Sequence, residues 1–358
     1  RHEELTMKTQ LIRINPTRPE SAKIQQAAQA LKNGKLVVFP TETVYGLGAD
    51  AANPEAVCRI FEVKKRPAFD PLIIHVADID QALPLWSRIP PYAKALMKKF
   101  WPGPLTLVLP RSERVSELVT SGLPTVAVRM PNHEAALGLI RALGKPIAAP
   151  SANLFGYTSP TSAAHVAEGL GDGLDLILDG GSCTVGVEST VLKIEKDEGI
   201  ILRPGGISAE ALSEFIRLKN GNVDTEKKLE APGMLESHYA PWTKFILLPK
   251  NFSEFAPEFE ASLKEHQSAG GAQPLRFGLL AFQKAPENAS LESVRVLSEK
   301  GDLVEAACNL FQSMRSLDKM NLDWILAEPV PASGLGLAIL DRLRKASGGK
   351  TAAKGFLN

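Results

Sequence analysis

The chain has 358 residues, 44% of them hydrophobic and 23% charged, with a formal net charge of +1. That length exceeds one ordinary core and points to two domains with the composition of a soluble globular protein. Near-neutrality argues against a broad basic surface for nucleic acid, although a local pocket can still be basic, and no apolar run approaches the ~20 residues of a membrane helix.

The start, RHEELTMK, lacks the apolar segment of a signal peptide. Cys58, Cys183 and Cys308 lie far apart without CxxC spacing, so neither a disulfide framework nor a zinc site is indicated, which suits a reducing cytoplasm. Residues 20–33 place Ile24, Ala27, Ala28 and Leu31 on one helical face, with Gly34 as C-cap. Leu36 to Phe39 reads as a strand that ends at Pro40 and opens into Thr41-Glu42-Thr43. Gly46 and Gly48 follow; at such a strand end, glycines either let backbone approach a ligand or merely serve a turn. In the next helix Val57, Ile60 and Phe61 share a face, and the next position in phase is Lys64. Either this ammonium is buried beside an anionic partner, or it is a solvated cation at a helix end. Pro67 forces the chain out of the helix, and Leu72 to Val76 reads as a strand carrying His75.

Helix 91–100 leads into the strand LTLVLP. In TVAVRM, Thr125, Ala127 and Arg129 share one face and Val126, Val128 and Met130 the other, so Arg129 faces a cavity or solvent. A helix at 133–143 precedes a buried strand at 146–150, whose polar exit is Ser151-Ala152-Asn153. After Ser159-Pro160-Thr161 come a helix near 162–170, the strand LDLILD, strands near 189–195 and 199–203, and the helix SAEALSEFIRL capped by Ser208. Residues 218–230 have a linker composition, and APGMLESHYAPW follows. The remainder alternates strand and helix (FILLP, a helix from 252, FGLLAF, VRVLS, helix 302–319, WILAEP, helix 335–345), as in a small α/β domain with a largely parallel sheet. Gly349-Lys350-Thr351 lacks the first glycine of a phosphate-binding loop, because Arg344 stands there, and no H-E-x-x-H pairing suggests a protein-bound metal.

Seven blocks occur in order: PTETVYGLGAD, KxRPxxxPLIIHV, TVAVRMP, APSAN, SPT, GVEST and ILRPGG. Together they resemble the YrdC-like family, and the rest of the chain resembles its long, two-domain form. The resemblance implies an α/β (α+β) fold: a YrdC-like mixed twisted sheet with a basic cavity, plus a smaller C-terminal Rossmann-like α/β domain. It divides the chain into a catalytic domain at 8–217, a linker acting as active-site lid at 218–243, the C-terminal domain at 244–346 and a tail at 347–358. The implied reaction joins L-threonine, bicarbonate (or carbon dioxide) and ATP into L-threonylcarbamoyl-AMP with release of pyrophosphate. Its product serves threonylcarbamoyladenosine modification of tRNA beside the anticodon.

The same resemblance assigns residues. Lys64 and Arg66 fall at catalytic positions. Arg66, Asp70, Thr125, Ser151, Asn153, Ser159, Arg203 and Tyr239 fall at ATP positions. Thr43, His75, Arg129, Ala149 and Ser189 fall where threonine and its carbamate are held. Magnesium arrives on ATP rather than in a protein cage. Downstream threonylcarbamoyl-transferase proteins are the implied partners, with no membrane and no tight grip on tRNA. Position 70 departs from the family, which commonly has asparagine there; Asp70 is expected to face magnesium, to pair with a neighbouring cation or to point away. An RNA-binding module without catalysis is the alternative, and an enzyme adenylating another amino acid is a third reading.

Overall fold

A computed structural model describes residues 9–219, 230–235, 237–268, 274–353 and 355–357. Contacts divide the chain into two units: residues 1–155 with 159–234, and residues 156–158 with 235–358. Of the linker anticipated at 218–243, residues 220–229 and 236 lie outside the described residues, 230–234 group with the first unit, and 235–243 otherwise group with the second.

The first unit is built on an eleven-stranded mixed sheet. In chain order its strands are β1 (Gln10–Arg13), β2 (Val37–Phe39), β3 (Gly46–Asp50), β4 (Ile73–His75), β5 (Leu105–Pro110) and β6 (Thr125–Arg129). They continue with β7 (Ile147–Ala148), β8 (Leu176–Asp179), β9 (Thr190–Glu195), β10 (Glu198–Arg203) and β11 (Arg217–Leu218). Their order across the sheet is β1-β8-β2-β3-β7-β4-β6-β5-β9-β10-β11.

Strand alternation sorts side chains onto two faces. One face is apolar over its whole width: Val38, Leu47, Ile74, Leu107, Val128 and Leu192 pack with Val57 and Ile60 of helix Pro54–Lys64 and Leu96 of helix Pro91–Phe100. The other face is covered on one half only, where Val37, Phe39, Ile147 and Leu176 pack under helices Ser21–Lys32 and Glu134–Leu143. On its remaining half, Ile73, Val108, Ala127, Val191 and Leu202 form a small apolar strip joined by Ala231 and Met234 rather than by a helix. The polar residues of the motifs collect around that strip.

Two local expectations change. Gly46 and Gly48 lie inside β3, not in a ligand-approaching loop. A Cβ at Gly48 would stand 2.8 Å from the Phe39 ring and 2.9 Å from Ile147 Cγ2, so this glycine serves close packing within the sheet. The helix expected over SAEALSEFIRL is only Ala209–Ser213, after which β11 pairs in parallel with β10. Pairing satisfies backbone groups along β10 that would otherwise stand at an open edge, and Ile216 is buried in the process.

The second unit is a four-stranded sheet of β12 (Lys244–Leu247), β13 (Phe277–Ala281), β14 (Leu291–Val296) and β15 (Trp324–Ala327), in the order β12-β15-β13-β14 and parallel throughout. Helices Phe252–Ser268, Leu303–Asp318 and Gly336–Ala346 connect and follow these strands, and a core of Phe252, Phe255, Phe259 and Phe277 takes in Ala352 and Leu357 of the tail.

The glycine of ILRPGG next to the site has a steric reason. A Cβ at Gly205 would come within 2.3 Å of Glu188 O and 2.4 Å of Thr190 N, so only glycine lets this turn lie against the GVEST backbone. Gly138, inside helix Glu134–Leu143, meets nothing closer than Ile24 Cγ2 at 3.7 Å. Gly205→Ala is therefore expected to destabilise the chain by roughly 1–3 kcal/mol or more, and Gly138→Ala to stabilise it by about 0.5–1 kcal/mol. Chemical denaturation midpoints measure both, and equal effects would contradict the packing account.

Candidate active site

Sheet register places the site. One cross-strand row on the half-covered face runs His75 on β4, Arg129 on β6, Thr106 on β5, Val191 on β9 and Arg203 on β10. Arg203 reaches this row through a β-bulge between Ile201 and Arg203: Leu202 is the extra residue, and Arg203 consequently faces Val191. Thr106 Oγ1 and Ser189 Oγ stand 2.7 Å apart, and Arg203 donates to Ser189 O through Nη2 at 2.9 Å and to Ser189 Oγ at 3.1 Å. Arg203 Nη1 also donates to Pro232 O at 3.1 Å, which ties the 230–234 segment to the row. Lys193 holds the same segment through Glu230 at 2.7 Å.

Arg129 is held on three sides. Nη1 donates to Thr43 Oγ1 at 2.9 Å, Nε to Gly103 O at 3.3 Å, and Nη2 lies 2.6 Å from a Glu42 carboxylate oxygen. Thr43 is fixed in turn by Thr41, whose hydroxyl closes the PTET turn on Val44 O at 2.6 Å. Neighbouring His75 donates Nδ1–H to Ile73 O at 3.2 Å and meets the Phe39 ring edge-on at 5.9 Å. Burial, with the Arg129 charge beside it, holds the imidazole pKa down at about 3.

The second group is organised by the end of helix Pro54–Lys64. Lys65 takes a left-handed conformation at the C-cap, which ends the helix and sends Arg66 back toward the sheet. Lys64 is 1% exposed; Nζ donates to Ser151 O at 2.5 Å and to Asn153 O, so the ammonium pins the APSAN exit of β7. Burial, and then Arg66, push its pKa well below the ordinary lysine range, while Asp70 opposes the shift. The structure thus decides for the buried alternative at Lys64. Arg66 donates to Asp70 O at 3.1 Å and to Pro71 O at 2.9 Å, and its Nη2 lies 2.9 Å from the Asp70 carboxylate. Asp70 therefore pairs with its neighbouring cation rather than pointing away. Burial raises its pKa against the pull of Arg66, Lys64 and Arg203, which places Arg203 within electrostatic reach of the KxR group.

Lys64, Arg66, Arg129 and Arg203 are all buried, as are the carboxylates of Glu42, Asp70 and Glu188. Among the described residues neither Asp70 nor Glu42 carboxylate oxygens have an aligned hydrogen-bond partner, so both retain acceptor capacity beside a cation. Such a set suits a ligand that is anionic at several points and carries donors at others.

Other expected residues sort as follows. Ala149 is buried where β7 ends, its N–H donating to Ile73 O at 3.0 Å. Ser159 donates its hydroxyl to Glu188, the residue before Ser189. Thr125 is on the same face as Arg129 but four residues along β6, about 13 Å away, where it lines a cavity of about 450 Å³ with Arg88, Lys193 and Lys196. Tyr239 belongs to the second unit, buried with its ring on Phe311 and under the Arg342 guanidinium at 5.0 Å, and with φ of +63°. Sequence reasoning does not single out Glu42, Thr106 or Glu188. The two acids sit inside the quoted PTET and GVEST blocks, a signal in itself; Thr106 appears only when β5 is laid beside β6.

Comparisons with known proteins bear on this arrangement. A family model described as "Telomere recombination" matches residues 29–205, and one described as "Threonylcarbamoyl-AMP synthase, C-terminal domain" matches residues 207–348. The chain is 45% identical to the threonylcarbamoyl-AMP synthase of Bacillus subtilis, over 91% of this chain and 93% of that one, and 45% identical to that of Pyrococcus abyssi, over 92% and 96%. The solved structure of P. abyssi Sua5 complexed with L-threonine is similar to it with a TM-score of 0.85 at 44% identity, over 96% of this chain and 99% of that one. With relatives at this identity along nine-tenths of its length, the chain belongs to the threonylcarbamoyl-AMP synthase family.

Proposed function

We infer that the chain is an L-threonylcarbamoyl-AMP synthase, a nucleotidyltransferase of tRNA modification. The observation that carries the assignment of roles is the row from His75 through Arg129 to Arg203 on the open half of the sheet, with Lys64 and Arg66 beside it. Its His75–Arg129 end suits an amino-acid carboxylate, and its Arg203–Arg66 end suits phosphates.

Threonine sits between Thr43, His75, Arg129, Ala149 and Ser189. Arg129 receives the carboxylate with the geometry that Thr43 and Gly103 already impose on its guanidinium. His75, kept neutral by burial, adds no second charge there. Bicarbonate converts the threonine amine to a carbamate with loss of water. A carbamate oxygen then attacks the α-phosphorus of ATP, and the bond to the β,γ-diphosphate breaks to release pyrophosphate. Arg66 and Arg203 neutralise charge on the reacting phosphates, and Lys64 holds the Ser151–Asn153 backbone against the nucleotide. Thr125 is left for the distal part of ATP, along the same face. Magnesium enters on the triphosphate, and the Asp70 carboxylate, paired with Arg66, is an acceptor of the chain's own beside the KxR group.

Residues 231–241 are the lid. Their first half is anchored to the site face through Ala231, Met234 and the Arg203–Pro232 bond. In this role the segment excludes water from a hydrolysis-prone adenylate, and Tyr239 contacts the nucleotide only if its ring leaves Phe311 and Arg342. Among the described residues no helix is long and apolar enough to cross a membrane, and Cys58, Cys183 and Cys308 are free thiols, which supports a reducing cytoplasmic setting. The product passes to threonylcarbamoyl-transferase proteins, and tRNA itself is bound weakly.

Pyrophosphate release is expected to require ATP, threonine and bicarbonate together. Arg129→Ala should raise the threonine requirement more than the ATP requirement and cost about 3–4 kcal/mol in kcat/KM; paired titrations decide, and the reverse order would move Arg129 to the phosphates. His75 supplies a pH prediction. Its folded pKa lies below the usual value, so the unfolded chain binds the extra proton, and stability falls as pH drops from about 6.5 toward about 3. Relative to wild type, His75→Gln should flatten that limb in urea unfolding across the same window. Parallel profiles would place a charged imidazole in the folded chain.

A further inference from the structure

Three residues of the APSAN-to-SPT loop belong to the second unit. The chain leaves the first unit at Phe155, two residues after Asn153, and returns at Ser159. Asn153 and Ser159 are both nucleotide-site residues in the assignment above, so whatever holds Gly156–Thr158 sets the span between them. That holding is dense. Tyr157 Oη donates to Asp318 Oδ2 at 2.8 Å, its ring stacks on Trp242 at 5.2 Å and 23°, and the Arg315 guanidinium lies 4.7 Å from the centroid of the same ring. Arg315, 3% exposed, also donates through Nη2 to Thr158 O, and Ala240 N–H donates to Gly156 O at 2.9 Å. Gly156 and Thr158 are thereby held by their carbonyls and Tyr157 by its side chain.

The grip is itself braced. Asp318 ends helix Leu303–Asp318 and accepts the backbone N–H groups of Trp242 and Thr243 at 3.1 and 2.7 Å, so one carboxylate joins the phenol to the segment that enters β12. Burial and the Asp318 charge push the Tyr157 phenol up to about 12, which keeps its proton available for donation at physiological pH. Burying Arg315 costs desolvation, which the Thr158 carbonyl and the Tyr157 ring help to offset.

We propose that Arg315 and Asp318 of the C-terminal domain are positioning residues for ATP, acting through Tyr157 and Thr158 to fix the loop between Asn153 and Ser159. They touch no reacting atom. A loop held at its middle presents Asn153 and Ser159 at a set separation, whereas a released one must be ordered by the nucleotide at the nucleotide's expense. This inference rests on the nucleotide assignment made above.

The test uses full-length chain and calorimetric titration of Mg-ATP, beside steady-state kinetics. Tyr157→Phe keeps the ring and removes the hydroxyl that bonds Asp318, and should weaken Mg-ATP binding about threefold. Arg315→Met should weaken it about tenfold, and Arg315→Lys should recover part of that loss. In turnover the KM for ATP should rise by these factors while the KM for threonine stays within twofold, a split that general loss of fold does not produce. Unchanged Mg-ATP affinity in folded Tyr157→Phe and Arg315→Met variants overturns the proposal, and equal rises in both KM values do so as well. Should wild type bind Mg-ATP yet release no pyrophosphate with threonine and bicarbonate, the functional assignment fails, while the affinity ratios still judge the loop.

Discussion

Burying four cations, Arg129 and Arg203 on one half-face of a sheet and Lys64 and Arg66 at the end of helix Pro54–Lys64, is the constraint to which the rest of the first unit answers. A cation withdrawn from water is tolerated only where acceptors or counter-charges surround it, and removal of one partner typically costs about 3–5 kcal/mol. Each of the four is met in a different way: Lys64 by two loop carbonyls, Arg66 by Asp70 and its backbone, Arg129 by Glu42 and Thr43, Arg203 by Ser189 and Pro232. The motif blocks are thus mutually dependent. PTET supplies the partners of Arg129, APSAN those of Lys64, and GVEST those of Arg203. Among the described residues of the first unit no helix packs on this half of the sheet, which leaves an apolar strip with buried charges around it.

Much of this was legible beforehand, for physical reasons that differ by element. The periodicity of residues 20–33 gave the buried stripe Ile24, Ala27, Ala28 and Leu31 because a one-sided helix must repeat every three to four residues. Lys64 announced itself by falling in the apolar phase of its helix, and Arg129 by sharing a strand face with Ala127. The resemblance to a family then attached chemistry to those positions, which spacing alone left open. Other features depend on contacts distant in sequence. The bulge that turns Arg203 onto the site face arises in the pairing of β10 with β9, and the short β11 from the unsatisfied edge of β10. Gly48 read as a loop glycine because the Phe39 ring that fills its missing side chain belongs to another strand. Tyr157 carried no local signal at all, since its partners lie more than eighty residues onward.

The two units also differ in how their polar groups are employed. In the first, buried charges converge on one face. In the second, Glu328 accepts the backbone N–H groups of Phe252 and Phe282, each at 2.8 Å, and so satisfies the ends of β13 and of the helix after β12 internally. Arg342, with no exposed surface, is paired with Asp341 and covers the Tyr239 ring. These are arrangements that stabilise a scaffold, and the scaffold's visible work is to hold Gly156–Thr158 and the residues around Tyr239.

The central claim is that one half-face holds an amino acid and a nucleotide close enough for the carbamate carbon to end up between them. Incubation of the chain with Mg-ATP, ¹³C-bicarbonate and an equimolar mixture of amino acids, followed by mass spectrometry of the nucleotides, tests it most directly. The account predicts a nucleotide product whose mass is AMP plus threonine plus one labelled carbon dioxide less one water, and no counterpart for alanine or serine of comparable abundance. A product without the label, or one formed equally with any amino acid, would contradict it.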